Sequence, residues 1–206
     1  MSKHTTNEYE HTYWDQHQLL MGIDEAGRGP LAGPLVVAGV VFEEGYHNED
    51  IYDSKGISEK KREMLFDLIL QDAKGYKIEI VEPNIIDEEN IYRATQNAMN
   101  RIATMLDAPI VLTDAMPLPN QDKEVISLIK GDQKSISIAA ASILAKVTRD
   151  RIMIEYDKQY PEYGFKQHKG YPTKQHIEAL ETYGVLPIHR RSYAPVQKCL
   201  QLKLDI

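Results

Sequence analysis

The sequence predicts an α/β fold: a mixed sheet of about five strands flanked by helices. Three observations lead to this prediction. Short apolar runs alternate with longer segments of helical periodicity. Glycine, proline and polar clusters separate these segments. Three of the apolar runs also finish in aspartate, at the position along a strand where the ligands of such sheets collect.

The first half of the chain alternates strand and helix patterns. "LLMGID" and "PLVVAGVVF" (34–42) are predicted buried strands joined by a glycine-rich turn. Ser58 is the expected N-cap of the helix "EKKREMLFDLILQDA", and Gly75 is its expected end. "YKIEIVE" (76–82) alternates as a strand does, and a helix is predicted over 87–106. The buried stripe of that helix would be Ile91, Ala94, Ala98, Ile102 and Met105.

The second half continues the same alternation. "APIVLTD" (108–114) and "KEVISLIKGD" (123–132) are the remaining predicted strands. "SISIAAASILAKVTRDRIMIEYDKQY" is a helix rich in small residues, and "TKQHIEALETYG" is a helix capped by Thr173 and ended by Gly184. The remaining tail is predicted to be basic and irregular.

Composition places the chain among globular proteins. Of its 206 residues, 42% are hydrophobic and 27% are charged, which is ordinary for one domain with a small appendage. No apolar run approaches the roughly 20 residues of a bilayer span, and the N-terminal segment lacks the core of a signal peptide. The single cysteine, Cys199, excludes an internal disulfide. We therefore expect a cytoplasmic monomer without a membrane partner.

Charge is unevenly distributed along the chain. The net charge is −7, yet residues 164–198 hold six basic and two acidic residues, a net of +4 that leaves −11 elsewhere. Such asymmetry suits a basic contact surface beside an acidic centre, as in a metal-dependent nuclease. Charged segments are more often only solvated, so this feature alone decides nothing.

Four acidic residues carry the functional prediction. Asp24 and Glu25 follow the first strand, Asp114 ends the fourth and Asp132 ends the fifth. Each alone is an ordinary turn or capping residue. Four carboxylates at one sheet edge would repel each other unless cations held them, and two Mg²⁺ ions about 4 Å apart suit phosphodiester hydrolysis.

Asp24 and Glu25 present a geometric difficulty, because successive strand residues point to opposite faces. Both could reach one metal cluster only if the strand ended or twisted there. The turn Ala26-Gly27-Arg28-Gly29-Pro30 supplies the expected break.

Five motifs in order resemble one known family: "GIDEAGRGPLAGP", "DSKGISEKKRE", "SISIAAASILAKVTRD", "HKGYPT" and "HRRSYAPV". Together they are similar to ribonuclease HII, the prokaryotic type 2 ribonuclease H, from about residue 19 to 197. The resemblance implies a ribonuclease H-like core (19–157), preceded by an N-terminal extension (1–18) and followed by a small, helical, basic substrate-binding region (158–206).

The resemblance also implies an activity. Family members are endonucleases that cut the RNA strand of RNA–DNA hybrids and cut 5′ to ribonucleotides embedded in duplex DNA. They leave 3′-hydroxyl and 5′-phosphate ends, use Mg²⁺ or Mn²⁺, and serve in ribonucleotide removal and RNA primer removal. The family's catalytic acids, which here would hold two such ions, fall on the four residues that the strand-end argument selects: Asp24, Glu25, Asp114 and Asp132.

The implied substrate contacts lie elsewhere in the chain. The glycine-rich element of the family is Gly27, Arg28 and Gly29, where the main chain can approach a 2′-hydroxyl closely. The substrate-sensing tyrosine is Tyr171, and Lys55 and Arg28 are candidates for gripping phosphate. Duplex-backbone contacts are predicted from the basic C-terminal region, with a solvated tail as the alternative. These last residues are His168, Lys169, His189, Arg190 and Arg191.

Some features depart from the family pattern or leave alternatives open. Gly56 and Ile57 replace the second lysine and the leucine of the usual "DSKKLS", which removes one possible phosphate contact. The N-terminal 20 residues are too few for the platform domain of ribonuclease HIII, which favours HII. Two other functions remain: a hybrid-binding module without activity, and another metal nuclease such as a resolvase. Recruitment by a sliding clamp through "QKCLQLKLDI" is undecided.

Overall fold

A computed structural model of the protein describes residues 4–202. The ends of the predicted N-terminal extension and C-terminal region, including the last residues of "QKCLQLKLDI", lie outside this range. The described chain forms two compact units. The first consists of residues 4–26, 36–79 and 95–147, and the second of residues 27–35, 80–94 and 148–202. The second unit thus takes in three segments of the predicted core (19–157): residues 27–35, 80–94 and 148–157.

The predicted five-stranded mixed sheet is confirmed. The strands are β1 (Leu20–Ala26), β2 (Leu35–Val41), β3 (Gly75–Val81), β4 (Ile110–Asp114) and β5 (Glu124–Leu128). Their order in the sheet is β3-β2-β1-β4-β5; β1 is antiparallel to β2 and parallel to β4, which is parallel to β5. The central strands are largely apolar because they are buried on both faces.

The helices begin largely where their capping residues predict. The Ser58 hydroxyl accepts a hydrogen bond from Lys61 N at 3.3 Å, and the Thr173 hydroxyl accepts one from His176 N at 3.3 Å. None of the helices within residues 4–202 is long and apolar enough to cross a membrane. The helices are α1 (Glu8–Trp14), α2 (Glu59–Asp72), α3 (Pro83–Glu89), α4 (Ile91–Met105), α5 (Ile136–Gln159), α6 (Phe165–His168), α7 (Lys174–Tyr183) and α8 (Ala194–Leu202).

The helix predicted over 87–106 is divided at Asn90. This residue has a φ of 67°, and its side-chain oxygen accepts hydrogen bonds from Tyr92 N and Arg93 N at 3.1 Å, so it ends α3 and begins α4. Met105, predicted to be buried, is 61% exposed. Gly75 does not end α2, which stops at Asp72; it begins β3 instead.

Three helices of the described chain have no counterpart among those predicted: α1, the four-residue α6 and α8. The tail expected to be irregular contains α8, whose Val196 and Cys199 pack with Leu31 and Leu180 in a buried cluster of the second unit. This apolar pair is too short a pattern to indicate a helix without its packing partners. At the other end of the chain, α1 carries the buried Trp14.

Candidate active site

The strand register brings two of the predicted acids to one sheet edge. In the first unit, Ile23 of β1 pairs with Thr113 of β4 in parallel register. The next residues, Asp24 and Asp114, therefore emerge at the same level of neighbouring strands. Both strands run in the same direction, so the two aspartates lie toward the same edge of the sheet, although β1 continues past Asp24.

Asp132 reaches the same cluster through a turn. β5 ends at Leu128, and Asp132 lies in a short 3₁₀ helix, Gly131–Gln133, rather than at the strand end as predicted. Gly131 N donates a hydrogen bond to Asp114 Oδ1 at 2.9 Å, which ties this turn to the neighbouring strand. The turn thus places Asp132 beside Asp114.

Glu25 remains part of the strand. β1 stays paired with β2 as far as Ala26, opposite Val36, so the strand continues two residues past Asp24 and ends where the predicted turn begins. The Glu25 carboxylate is still close enough for its charge to raise the pKa of Asp24. Asp24 also turns back on its own backbone, where Oδ1 accepts a hydrogen bond from Glu25 N at 2.7 Å.

The electrostatics show that these carboxylates share one site. Burial raises the pKa of Asp24 well above its ordinary value, and the charges of Glu25, Asp114 and Asp132 raise it further. Burial also raises the pKa of Asp132 to about 6, with repulsion from Asp53 and Asp114 adding to the effect. Like charges held together out of water disfavour ionisation, which is the condition that a bound cation would relieve.

Lys55 and Asp53 belong to the same electrostatic cluster. Burial lowers the pKa of Lys55, but the charges of Asp24, Asp132 and two other aspartates raise it above its ordinary value. The predicted phosphate-binding lysine therefore lies near the acids. Sequence reasoning missed Asp53, which interacts with Asp132 and whose Oδ1 accepts a hydrogen bond from Lys55 N at 2.9 Å. Its position in the "DSKGIS" loop was the available signal.

The donor set fits a divalent metal. All four predicted ligands offer carboxylate oxygens, the hard donors that Mg²⁺ and Mn²⁺ prefer. Across the described residues, no three His, Cys, Asp or Glu side chains are grouped tightly enough to hold an ion as they stand. Binding would thus require the carboxylates to close in, which their mutual repulsion opposes until a cation offsets it.

The second unit brings the glycine-rich element and the tyrosine together. Gly27 has a φ of 100°, and a Cβ there would lie 2.1 Å from Arg149 Nε, so no other residue fits. Arg28 and Gly29 are exposed. A Cβ placed on Gly29 would lie 3.5 Å from Cε1 of Tyr171, so the tyrosine ring lies beside this glycine.

Two buried arginines hold this loop by its carbonyl groups. Arg190 donates to Gly27 O at 2.6 Å, to Arg28 O at 3.0 Å and to Gly33 O at 2.9 and 3.1 Å. Arg149 donates to the carbonyls of Ala32 (3.0 Å), Pro34 (2.9 Å) and Lys169 (2.9 Å). Burial lowers the pKa of both guanidinium groups, that of Arg149 to about 10.

This arrangement does not support the prediction that Arg190 contacts a duplex. Its side chain is fully buried and its donors face protein carbonyls. The same holds for His168 and His189, which are buried and whose ring nitrogens are hydrogen-bonded within the protein. Arg191 is exposed and Lys169 is half-buried, so both remain compatible with a ligand contact. Sequence alone did not separate buried from exposed members of this basic group.

Comparison with known proteins defines the class. Among solved structures, the ribonuclease H2 of Pyrococcus horikoshii OT3 matches with a TM-score of 0.77 and 29% identity, over 91% of this chain and 100% of that one. A chain of the PCNA:RNase HII complex from Archaeoglobus fulgidus matches with a TM-score of 0.73 and 28% identity, over 85% of this chain and 95% of that one. The fold is therefore that of the type 2 ribonucleases H.

The family follows from the sequence comparisons. The family profile described as Ribonuclease HII matches residues 21–196. The ribonuclease HII of Acholeplasma laidlawii is 50% identical over 196 residues, which cover 94% of this chain and 96% of the relative. The chain belongs to the ribonuclease HII family and is a ribonuclease, a phosphodiester hydrolase, as the motif resemblance implied.

Proposed function

We propose that this ribonuclease is an endonuclease that cuts the RNA strand of RNA–DNA hybrids and cuts 5′ to ribonucleotides embedded in duplex DNA. It would leave 3′-hydroxyl and 5′-phosphate ends and serve in ribonucleotide removal and RNA primer removal. The observation that carries the proposal is the cluster of acids whose charges raise the pKa of Asp24. Such a cluster is what divalent-ion-dependent phosphodiester hydrolysis requires.

The acids would hold two divalent ions, Mg²⁺ or Mn²⁺. The proposed ligands are Asp24, Glu25, Asp114 and Asp132. When bound, such ions lower the pKa of a water molecule and offset the charge that develops on the leaving oxygen. Lys55, whose pKa is raised by the neighbouring aspartates, would bind a phosphate oxygen of the substrate strand.

The residues of the second unit would recognise the ribonucleotide. The exposed backbone at Arg28 and Gly29 can approach a sugar closely, and a 2′-hydroxyl is the sugar group that distinguishes RNA from DNA. The ring of Tyr171 would press against the sugar that follows, where a second 2′-hydroxyl would disturb the packing. Arg191 and Lys169 would contact the duplex backbone.

Partners beyond nucleic acid remain predictions. A relative from Archaeoglobus fulgidus has been solved in complex with PCNA. Whether this chain binds a sliding clamp is open, since the last residues of the candidate C-terminal peptide lie outside the described range. A monomeric state and a cytoplasmic location likewise stay predictions from composition.

Cleavage-site mapping tests the proposal. Three labelled substrates are compared, with Mg²⁺ and with EDTA: a DNA duplex containing one ribonucleotide, the same duplex without it, and an RNA–DNA hybrid. We expect a single Mg²⁺-dependent cut on the 5′ side of the ribonucleotide, with a 3′ end that a DNA polymerase can extend. Equal cutting of the all-DNA duplex would indicate a resolvase-like nuclease, and binding without cutting would indicate a recognition module.

A further inference from the structure

Three buried histidines of the second unit pack against one another. His168, His176 and His189 are each less than 10% exposed. The rings of His168 and His176 are stacked with centroids 4.6 Å apart, and those of His176 and His189 are 5.3 Å apart. Because they are buried, these rings do not contact a substrate, and their role must be exerted through the groups they hold.

The hydrogen bonds fix a direction through two of these rings. Leu186 N donates to His189 Nδ1 at 2.9 Å, so that nitrogen carries no proton. Neutral His189 therefore has its proton on Nε2 and donates it to His176 Nε2, 3.0 Å away. His176 in turn has its proton on Nδ1 and donates to the carbonyl of Tyr171 at 3.0 Å.

The third histidine holds the preceding peptide. Gly170 N donates to His168 Nδ1 at 3.2 Å, and the other ring nitrogen, Nε2, donates to Tyr163 O at 2.7 Å. Burial lowers the pKa of His176 and His189 to about 4, so both rings are neutral near pH 7. Main-chain groups on both sides of the Cα of Tyr171 thus have histidine partners: Gly170 N binds His168, and Tyr171 O binds His176.

Tyr171 is the residue that this support leaves exposed. Its ring is 43% exposed although its carbonyl also accepts a backbone hydrogen bond from Thr173 N at 2.8 Å. The ring lies beside Gly29. A side chain that must sense a sugar gains from an immobile backbone, because displacement of about 1 Å lowers the discrimination that contact provides.

We propose that His176 and His189 are positioning residues for Tyr171: the relay from Leu186 N through both imidazoles fixes the Tyr171 carbonyl and thereby sets the preference for a ribonucleotide followed by deoxyribose. This inference rests on the sugar-contacting role proposed for Tyr171. It assigns a function to buried histidines that contact no substrate.

Nuclear magnetic resonance tests the relay without reference to activity. In a long-range ¹H–¹⁵N spectrum of the whole protein near pH 7, we expect His176 to show the Nδ1–H tautomer and His189 the Nε2–H tautomer. An Nε2–H tautomer at His176 would overturn the relay, whatever the enzyme's specificity proves to be.

Two variants of one residue test the consequence. The amide nitrogen of asparagine lies near the position of Nδ1, and that of glutamine lies near the position of Nε2. The measured quantity is kcat/KM for the single-ribonucleotide duplex divided by kcat/KM for the RNA–DNA hybrid. His176→Asn should keep the donor to Tyr171 and leave this ratio within about twofold of wild type. His176→Gln should lose that donor and lower the ratio by about fivefold, the size of one neutral hydrogen bond.

Controls separate this inference from the function on which it rests. The exposed His47→Gln should leave the ratio unchanged, and thermal unfolding checks that each variant is folded. Suppose that Tyr171→Ala lowers the ratio. A folded His176→Gln protein that then keeps the wild-type ratio would overturn the inference. If Tyr171→Ala itself leaves the ratio unchanged, the sugar-sensing role of Tyr171 is wrong, and the proposed effect of the relay on specificity is wrong with it. The histidine tautomers would still show whether the relay exists.

Discussion

The acid cluster of the first unit and the arginines that bind the loop of the second unit are both buried charged groups, but their surroundings are opposite in kind. Asp24 and Asp132 are surrounded by like charges, and their pKa values are raised. Arg149 and Arg190 are surrounded by carbonyl oxygens that accept their hydrogen bonds. The first arrangement is only partly compensated by Lys55 and by backbone donors and calls for a ligand, whereas the second is satisfied internally and serves to fix a loop.

The largest effect that this comparison predicts is on catalysis. Asp24→Asn should lower cleavage of the single-ribonucleotide duplex by about a thousandfold or more, because a ligand of the proposed ions is lost. The measurement is kcat/KM in Mg²⁺, with circular dichroism to confirm folding. The exposed Asp122→Asn is the matched control and should cut at the wild-type rate. Wild-type activity in Asp24→Asn would refute the assignment of the acids.

The second effect is on stability. It tests whether Arg190 stabilises the loop through its hydrogen bonds to the loop carbonyls. Arg190→Met should lower the free energy of unfolding by about 3 kcal/mol, because the carbonyls of Gly27, Arg28 and Gly33 lose their donors. Arg190→Lys should lie between Met and wild type, since lysine keeps the charge but not the planar fork. Chemical denaturation measures both, and the exposed Arg93→Met should stay within about 0.5 kcal/mol. An Arg190→Met protein as stable as wild type would show that these hydrogen bonds are dispensable.

The third effect has the opposite sign. The pKa of Asp132 is raised from 3.8 to about 6 in the folded protein, so stability falls as the pH rises from about 4 to about 6, and the full penalty is present above about 6. In EDTA at pH 7.5, Asp132→Asn should therefore increase the free energy of unfolding by about 1–3 kcal/mol, a gain that shrinks toward zero by pH 4. Urea titrations at the two pH values measure it. A loss of stability at pH 7.5 would mean that this carboxylate is compensated within the protein.

The smallest effect concerns Asn7, whose side chain binds the start of the helix that follows Asp132. Asn7 Oδ1 accepts a hydrogen bond from Ile136 N at 3.0 Å, at the start of the helix that follows Asp132. Asn7→Gly should lower the free energy of unfolding by about 0.5–1 kcal/mol, since glycine keeps the positive φ but removes the cap. Asn7→Asp, which retains the acceptor, is the control in thermal unfolding. Equal melting temperatures for all three proteins would show that the cap contributes nothing.

The parts of the fold that local pattern decides were predictable. The apolar runs of β1, β2 and β4 and the caps Ser58 and Thr173 lie where the sequence indicates. The break at Asn90 and the helix α8 were missed, because each depends on packing partners or a backbone conformation that leaves little periodic signal. In the site, Asp24 and Asp114 were predictable from strand ends, whereas Asp53 required knowledge of where its loop folds.

The sequence by itself determined the strand-forming runs, the positions of the acids and the family. Only the tertiary structure decided which charged residues are exposed and which are buried: Arg190 and His168 look like surface contacts in sequence, yet both are buried. The physical reason is that residue type fixes the charge and hydrogen-bonding capacity of a side chain. Its desolvation and its partners arise from segments far away along the chain, such as Gly27 for Arg190.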